Sequence, residues 1–519
     1  MVKKAYIAAG NALTLHCLSK ATKPKPESKK HKIMIHCFVP FLSEEQAAPT
    51  VNNLKASPLV SKITLLATDA AAAPCLGCDM LHVDSLTSSA TVRAMAAHTG
   101  NAAFVLYYTK TNTLEPGYHA LHRLVEIAKD SGAAMVYADH YTVVEGKRTN
   151  SPVIDYQEGS LRDDFDFGSV LFYNAADFVK AAAGMTADYT AAGLYDLRLR
   201  LSRIAPIVHI NEYLYSDVTV DNRASGKKIF DYVDPKNRGV QIEMEKACTD
   251  HLKEIGAYLE PVFEPIEFNR GEFPVEASVI IPVRNRVRTI RDAIRSVLSQ
   301  KADFDYNLII IDNHSTDGTS EAIDEFASDP RVIHIIPERG DLGIGGCWNV
   351  GAMDPRAGKF CVQLDSDDVY SDENTLAKMV KAFYDNNAGM VVGTYMLTDI
   401  NMQPIPPGVI DHKEWTPDNG RNNALRINGL GAPRAFYTPM LRDIMVPNTS
   451  YGEDYALGLM FSRKHQIGRV YDVVYFCRRW EDNSDAALDI NKTNANNLYK
   501  DRIRTWEVSA RKKLNASKK

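Results

Sequence analysis

Three carboxylates crowd into the four residues Asp365-Ser366-Asp367-Asp368. They follow Phe360-Cys361-Val362-Gln363-Leu364, which reads as the end of a buried strand. Like charges this close repel unless something positive lies among them. A hard divalent cation with oxygen ligands meets that need, and such a cation commonly shares its shell with substrate phosphates. The competing reading is a solvated acidic turn. Deciding between them requires the elements that position this turn and whatever else they bring to it.

The chain has 519 residues, too many for one hydrophobic core, so two or more domains are expected. It is 45% hydrophobic and 24% charged with a net charge of -5, which fits a soluble globular protein. A dedicated nucleic-acid binder would show a basic excess, so no nucleic-acid partner is expected. No apolar run approaches the roughly 18 residues of a bilayer span. Asn11, Thr14, His16 and Ser19 interrupt the mildly apolar N-terminus, which argues against a secretory signal. The eight cysteines are scattered, and the close pair Cys75 and Cys78 has no second pair to complete a zinc site. That usage fits a reducing, cytoplasmic location.

Residues 1–32 form an N-terminal segment ending in a Pro- and Lys-rich linker. Strand-like runs over residues 33–39, 62–67, 102–108 and 133–138 alternate with helical patterns over 44–54 and 114–131. After a charged connector over 222–272, with a helix expected at 240–259, the alternation resumes. Strands are expected at 277–282, 307–312, 332–336 and 359–364, and helices at 289–300, 319–328, 343–353 and 374–386. Such alternation indicates a mostly parallel sheet with helices on both faces.

The halves read as distant repeats. Phe104 to Tyr108 can be laid on Phe360 to Leu364, which sets Thr109 against Asp365 and Thr111 against Asp367. Gly168 to Tyr173 resembles Gly431 to Tyr437, with Phe172-Tyr173 on Phe436-Tyr437, and Tyr195-Asp196 falls where Glu453-Asp454 lies. The first copy thus lacks the carboxylates.

In a doubly wound sheet, ligands collect at the carboxyl ends of the strands. Pro282 to Asn285, Asp312 to Ser315 and Asp365 to Asp368 all fall at such ends. With these motifs assembled, residues 277–480 resemble a family-2 glycosyltransferase of the GT-A nucleotide-sugar fold. The resemblance is carried by Ile281-Pro282-Val283-Arg284-Asn285, Ile311 to Gly318, Leu364 to Asp368, Gly452-Glu453-Asp454 and Arg478-Arg479-Trp480. It implies an α/β protein of two tandem GT-A-like, Rossmann-related domains. These are a degenerate one at 33–221 and a catalytic one at 273–480, followed by a basic helical segment at 481–519.

It further implies inverting transfer of a sugar from a nucleotide-sugar donor to a glycan or lipid-linked acceptor, with Mn2+ or Mg2+. Asp365 and Asp367 would hold the metal, with Asp368 a further ligand. Pro282, Arg284, Asn285, Asp312, Asn313, Asn349 and Ser366 would bind the donor. Asp454 would be the general base, with Glu453 the alternative, although acidic residues also suit a helix start. Gly431, Arg434, Arg478, Arg479 and Trp480 would serve the acceptor and diphosphate, since arginine presents a planar fork and indole a stacking face. A loop with Asp411, His412 and Trp415 would close over the site.

The sequence departs from the family pattern at two positions. Trp348 stands where arginine is usual and Arg284 where tyrosine is common, so the uridine diphosphate donor is not carried over. The basic segment over 494–513 reads either as a membrane-surface helix near a lipid-linked acceptor or as a cap on the domain. Two other functions compete: a two-site glycan polymerase, opposed by Thr109 and Thr111, and a non-catalytic glycan-binding scaffold, opposed by Asp365, Asp367 and Asp454.

Overall fold

The computed structural model describes residues 34–219, 238–413, 415–427, 429–480 and 488–518. Residues 1–33, 220–237, Glu414, Asn428, residues 481–487 and Lys519 lie outside the described residues. The first sheet holds β1 (Ile35–Phe41), β2 (Val60–Ala67), β3 (Asp79–His82), β4 (Phe104–Tyr108), β5 (Thr113–Pro116), β6 (Met135–Val144), β7 (Lys147–Ser151), β8 (Val170–Asn174) and β9 (Ile207–Val218). The second holds β10 (Ala277–Val283), β11 (Tyr306–Asp312), β12 (Val332–Ile335), β13 (Phe360–Gln363), β14 (Val369–Tyr370), β15 (Met390–Asp399), β16 (Pro404–Ile410), β17 (Arg434–Tyr437) and β18 (Ile467–Arg479).

The two sheets share one topology. Their orders are β3-β2-β1-β4-β8-β6-β9-β5 and β12-β11-β10-β13-β17-β15-β18-β14, with β7 and β16 added to β6 and β15. Every strand of one therefore has a counterpart in the other, which establishes the repeat. Both sheets are mixed. The half built from β10, β11, β12 and β13 is parallel, as the alternation of elements indicates, and β17 then joins β13 antiparallel. Helices cover both faces, and strand alternation divides the core accordingly. Val279 and Ile281 pack with helices Ile290–Leu298 and Thr375–Asn386, whereas Ile309 and Ile311 face helix Ile344–Met353.

Register sharpens the repeat. Ile35 pairs with Phe104 and Ala277 with Phe360, so Thr109 and Thr111 occupy the places of Asp365 and Asp367. On the next strand Val105 faces Tyr173 and Cys361 faces Phe436. Tyr173 thus stands where Phe436 stands, one residue away from the sequence alignment. Asp196 spends its carboxylate on Arg200, four residues along its own helix, at 2.9 Å.

Three expectations about elements are corrected. Residues 113–116 are strand β5 and not the start of a helix, because they pair with β9 while the Leu114 amide donates to Thr50. Cross-strand pairing overrides local helix preference here. The apolar run Val473 to Phe476 implies a strand with Arg478 and Arg479 after it, but β18 runs on to Arg479 and includes both. The segment with His412 and Trp415 does not form a lid: both side chains are buried in the core, and Arg469 holds the Asp411 carbonyl.

The connector helix Arg238–Glu254 and the closing helix Ile490–Ser517 join the two units. One hydrophobic cluster includes Leu161, Tyr195 and Leu199 of the first unit, Cys248 and Leu252 of the connector, Tyr455 and Leu459 of the second, and Ile503 and Val508 of the closing helix. The closing helix packs between the units, as the capping reading of this segment has it. Asp501, Arg504, Glu507 and Arg511 are buried and paired with one another as Arg504–Asp501 and Arg511–Glu507. Among the described residues no helix is long and apolar enough to cross a membrane.

Candidate functional site

The acidic turn leaves β13 and is fixed from several sides. The Tyr475 hydroxyl accepts the Asp365 amide at 3.1 Å, and Thr289 donates to the Ser366 carbonyl at 2.9 Å. The Asp368 carboxylate accepts the Arg478 backbone amide at 2.8 Å. Gln363 spans two strands, donating to Asp365 at 2.9 Å and accepting the Arg434 amide at 3.1 Å. Burial, only partly offset by the Arg434 charge, pushes the Asp365 carboxyl above the usual range. Burial first, then the charges of Asp367 and Asp365, pushes Asp368 further up. Asp367 lies 3.8 Å from Arg286 and 3.4 Å from the Trp480 indole nitrogen.

The turns after β10 and β11 are laced together. Asn285 adopts a left-handed backbone with φ of 53°, a conformation asparagine tolerates. Its amide donates to Ser315 at 2.9 Å, and its side-chain oxygen accepts the Thr316 amide at 2.8 Å. Asn313 donates to the Leu342 carbonyl at 2.9 Å, while its buried oxygen has no partner among the described residues. Asp312 is fully buried and accepts from Ser315 and Ser320, beside His334.

The opposite wall starts at Gly452, whose φ of 77° favours glycine and turns the chain into helix Glu453–Ser462. The Arg434 guanidinium pairs with the Asp454 carboxylate at 2.8 Å and donates to the Gly431 carbonyl. Burial would raise Asp454, but Arg434 and then Lys500 outweigh it and hold the carboxyl below its ordinary value. Glu453 behaves oppositely: burial and the Asp454 charge push it up to about 8. Neighbouring carboxyls with diverging proton affinities are the arrangement from which acid and base roles are built. Glu453 also keeps one buried oxygen without a partner among the described residues.

These walls enclose a cleft of about 670 Å3. Pro282, Arg284, Asn285, Asn313, Asp365, Ser366, Asp367, Asp368, Arg434, Glu453, Asp454 and Arg479 all line it. Trp480 reaches it through Asp367. Five expected residues stand outside the lining, Trp480 among them. Asn349 ties its helix to Val446 through both side-chain atoms, and Asp312 caps its own turn. Gly431 lies against His412. Arg478 is 2% exposed and binds Asp292 at 3.0 Å and the Asp367 carbonyl. Successive strand residues face opposite sides, so Arg479 meets the cleft and Arg478 braces the turn from behind.

Sequence reasoning gave no role to Gln363, Tyr475 or Lys500. Their partners lie on other strands and on the closing helix, so spacing carried no signal for them. Trp348 also lines the cleft, edge-on to Phe436 at 5.8 Å.

Among the described residues no three His, Cys, Asp or Glu side chains converge as a ready cation cage. The carboxylates of the acidic turn nonetheless suit a hard cation that takes its remaining ligands from phosphate and water. Asp365 and Asp367 are both partly exposed and line the cleft, while Asp368 is buried and already engaged by Arg478.

Residues 278–442 match the family model described as glycosyl transferase family 2. An uncharacterised glycosyltransferase of Haemophilus influenzae is 24% identical over 194 residues, covering 37% of this chain and 57% of that protein. One of Rickettsia felis is 23% identical over 366 residues, covering 66% of this chain and 58% of the relative. Among solved structures, S. aureus TarS 1-349 in complex with UDP-GlcNAc aligns at a TM-score of 0.36 with 22% identity, covering 45% of this chain and 66% of that one. The chain therefore spans under two thirds of the curated relatives' length.

Proposed function

We propose, with residues 278–442 as a glycosyl transferase family 2 domain for premise, that the second unit moves a sugar from a nucleotide-diphosphate donor to a hydroxyl of a glycan or lipid-linked acceptor. Transfer would proceed by direct displacement with inversion. The observation that carries this reading is one cleft at the strand carboxyl ends, with the acidic turn on one wall and the unequal pair Glu453 and Asp454 on the other.

Asp454 is the base in this reading. Arg434 keeps it ionised and oriented, ready to take the acceptor hydroxyl's proton as the new glycosidic bond forms. Burial and the Asp454 charge favour the protonated form of Glu453, which then does not compete for that proton. On the donor side, Pro282, Arg284 and Asn285 line the nucleoside end, and the unpaired Asn313 oxygen can accept an N–H from the base. Arg479 faces the diphosphate, and Trp348 with Phe436 forms an apolar wall. Asp367, with Asp365, would hold Mn2+ or Mg2+, which neutralises charge on the departing diphosphate. The first unit supplies no second site in this reading, because Lys110 pairs with buried Asp217 at 2.8 Å beside the two threonines.

The test is release of nucleoside diphosphate from a panel of nucleotide sugars and acceptors. Asp454→Asn is expected to lower transfer at least about a hundredfold while Mn2+-dependent donor binding persists. Transfer at the wild-type rate would contradict the base assignment.

A further inference from the structure

The closing helix meets the site at one turn, and the first unit holds that turn from the other side. On the site face, Tyr499 and Ile503 lie against Gly452, where an added Cβ would touch them at 3.5 and 3.4 Å. The Lys500 ammonium, with only 8% of the residue exposed, lies 4.6 Å over the Tyr451 ring and 5.6 Å over the Tyr455 ring. Its charge is close enough to favour the ionised form of Asp454. Arg504 donates to the Tyr455 hydroxyl at 2.8 Å and to the Ile427 carbonyl at 2.9 Å. Tyr451, Gly452 and Tyr455 immediately flank Glu453 and Asp454, so this turn fixes where the pair points.

The other face belongs to the first unit. Asp501 is fully buried and accepts from Ser160 at 2.9 Å, Arg162 at 3.3 Å and Arg504 at 2.8 Å. The Gly159 amide donates to Thr505 at 3.0 Å. A Cβ at Gly159 would come within 2.1 Å of the Thr505 nitrogen, so the first unit approaches this helix as closely as backbone allows. Breaking a buried ionic network by removing one partner is strongly destabilising locally, which makes Asp501 a stiff hinge point between the units.

We infer that the first unit, which lacks the acidic turn, serves the reaction through the closing helix: Ser160 and Arg162 clamp Asp501, and the same helical turn carries Lys500 as a positioning residue for Asp454. The inference rests on the proposed role of Asp454. It differs from a docking role for the first unit because it needs no ligand there.

The test uses the full chain with Lys500→Met, Lys500→Arg and Arg162→Ala. Lys500→Met and Arg162→Ala are expected to lower kcat about tenfold. The donor KM should stay within about twofold, as expected when binding is untouched. Lys500→Arg should restore most of the rate. In both impaired variants, backbone amides of residues 452–457 should exchange faster with solvent while those of β10, β11 and β13 keep wild-type protection. Wild-type kcat together with wild-type exchange at 452–457 in Arg162→Ala would overturn the inference. If the wild-type chain turns over no nucleotide sugar, the proposed function fails, and the exchange measurement alone decides whether the first unit holds this turn.

Discussion

Adjacent residues can carry opposite duties, and Arg478 and Arg479 are the clearest case. As a dipeptide they were indistinguishable candidates for a diphosphate. The strand's alternation separates them: Arg479 lines the cleft, while Arg478 is spent on Asp292 and the Asp367 carbonyl. Arg479→Ala is therefore expected to weaken nucleotide diphosphate binding about tenfold, since it removes a charge-assisted contact at the cleft. Arg478→Ala is expected to lower stability by about 2 kcal/mol, the scale of hydrogen bonds to a charged group. Denaturant unfolding and nucleotide titration of both variants check this, and the reverse pattern would refute the strand assignment. The same logic separates Glu453 from Asp454. A helix start with two acids was visible in the sequence; that Arg434, twenty residues upstream, holds only the second one ionised was not.

At the level of elements, the parallel strands and their helices were legible because their apolar runs are continuous or strictly periodic. β10, β11 and β13 lie within two residues of where the pattern put them. The misses fall where long-range pairing decides. β5 is four residues of strand ahead of a helix, and β18 is extended by its partners β15 and β14. The tight seat of helix Ile344–Met353 was also hidden. Gly345 packs so closely on the Pro447 carbonyl that a Cβ would come within 1.9 Å, a contact its Gly-rich sequence permits but does not announce.

The connector helix adds a pH dependence. His251 is buried among Arg198, Arg203 and Lys512, and burial followed by the Arg203 charge lowers it to about 3. Folded chains keep it neutral, whereas unfolded chains protonate it below its ordinary value of 6.5. Its contribution to stability is thus complete above pH 6.5 and is lost as pH falls from there toward 3, at about 1.4 kcal/mol per pH unit. His251→Gln should flatten the decline of the unfolding midpoint between these pH values, and an unchanged slope would count against a buried neutral imidazole.

For the whole molecule, the repeat was readable because both copies keep the same strand, Phe104 to Tyr108 and Phe360 to Gln363, in the same place in the sheet. How the copies are joined was not readable. The closing helix looked basic, yet its buried face is made of ion pairs whose acids, Asp501 and Glu507, sit three and four residues from their arginines. Helix charge alone cannot distinguish a face that pairs internally from one that meets lipid.

The proposed function requires the cleft to bind a nucleotide-diphosphate donor through a cation at the acidic turn. Its most direct test is thermal unfolding of the full chain with nucleoside diphosphates and nucleotide sugars, with and without Mn2+, for wild type and Asp367→Ala. At least one such ligand, at about a hundred times its Kd, is expected to raise the wild-type midpoint by about 3 °C when Mn2+ is present. Asp367→Ala should lose most of that shift. A chain that responds to none of these ligands, or an Asp367→Ala variant that responds as fully as wild type, would contradict it.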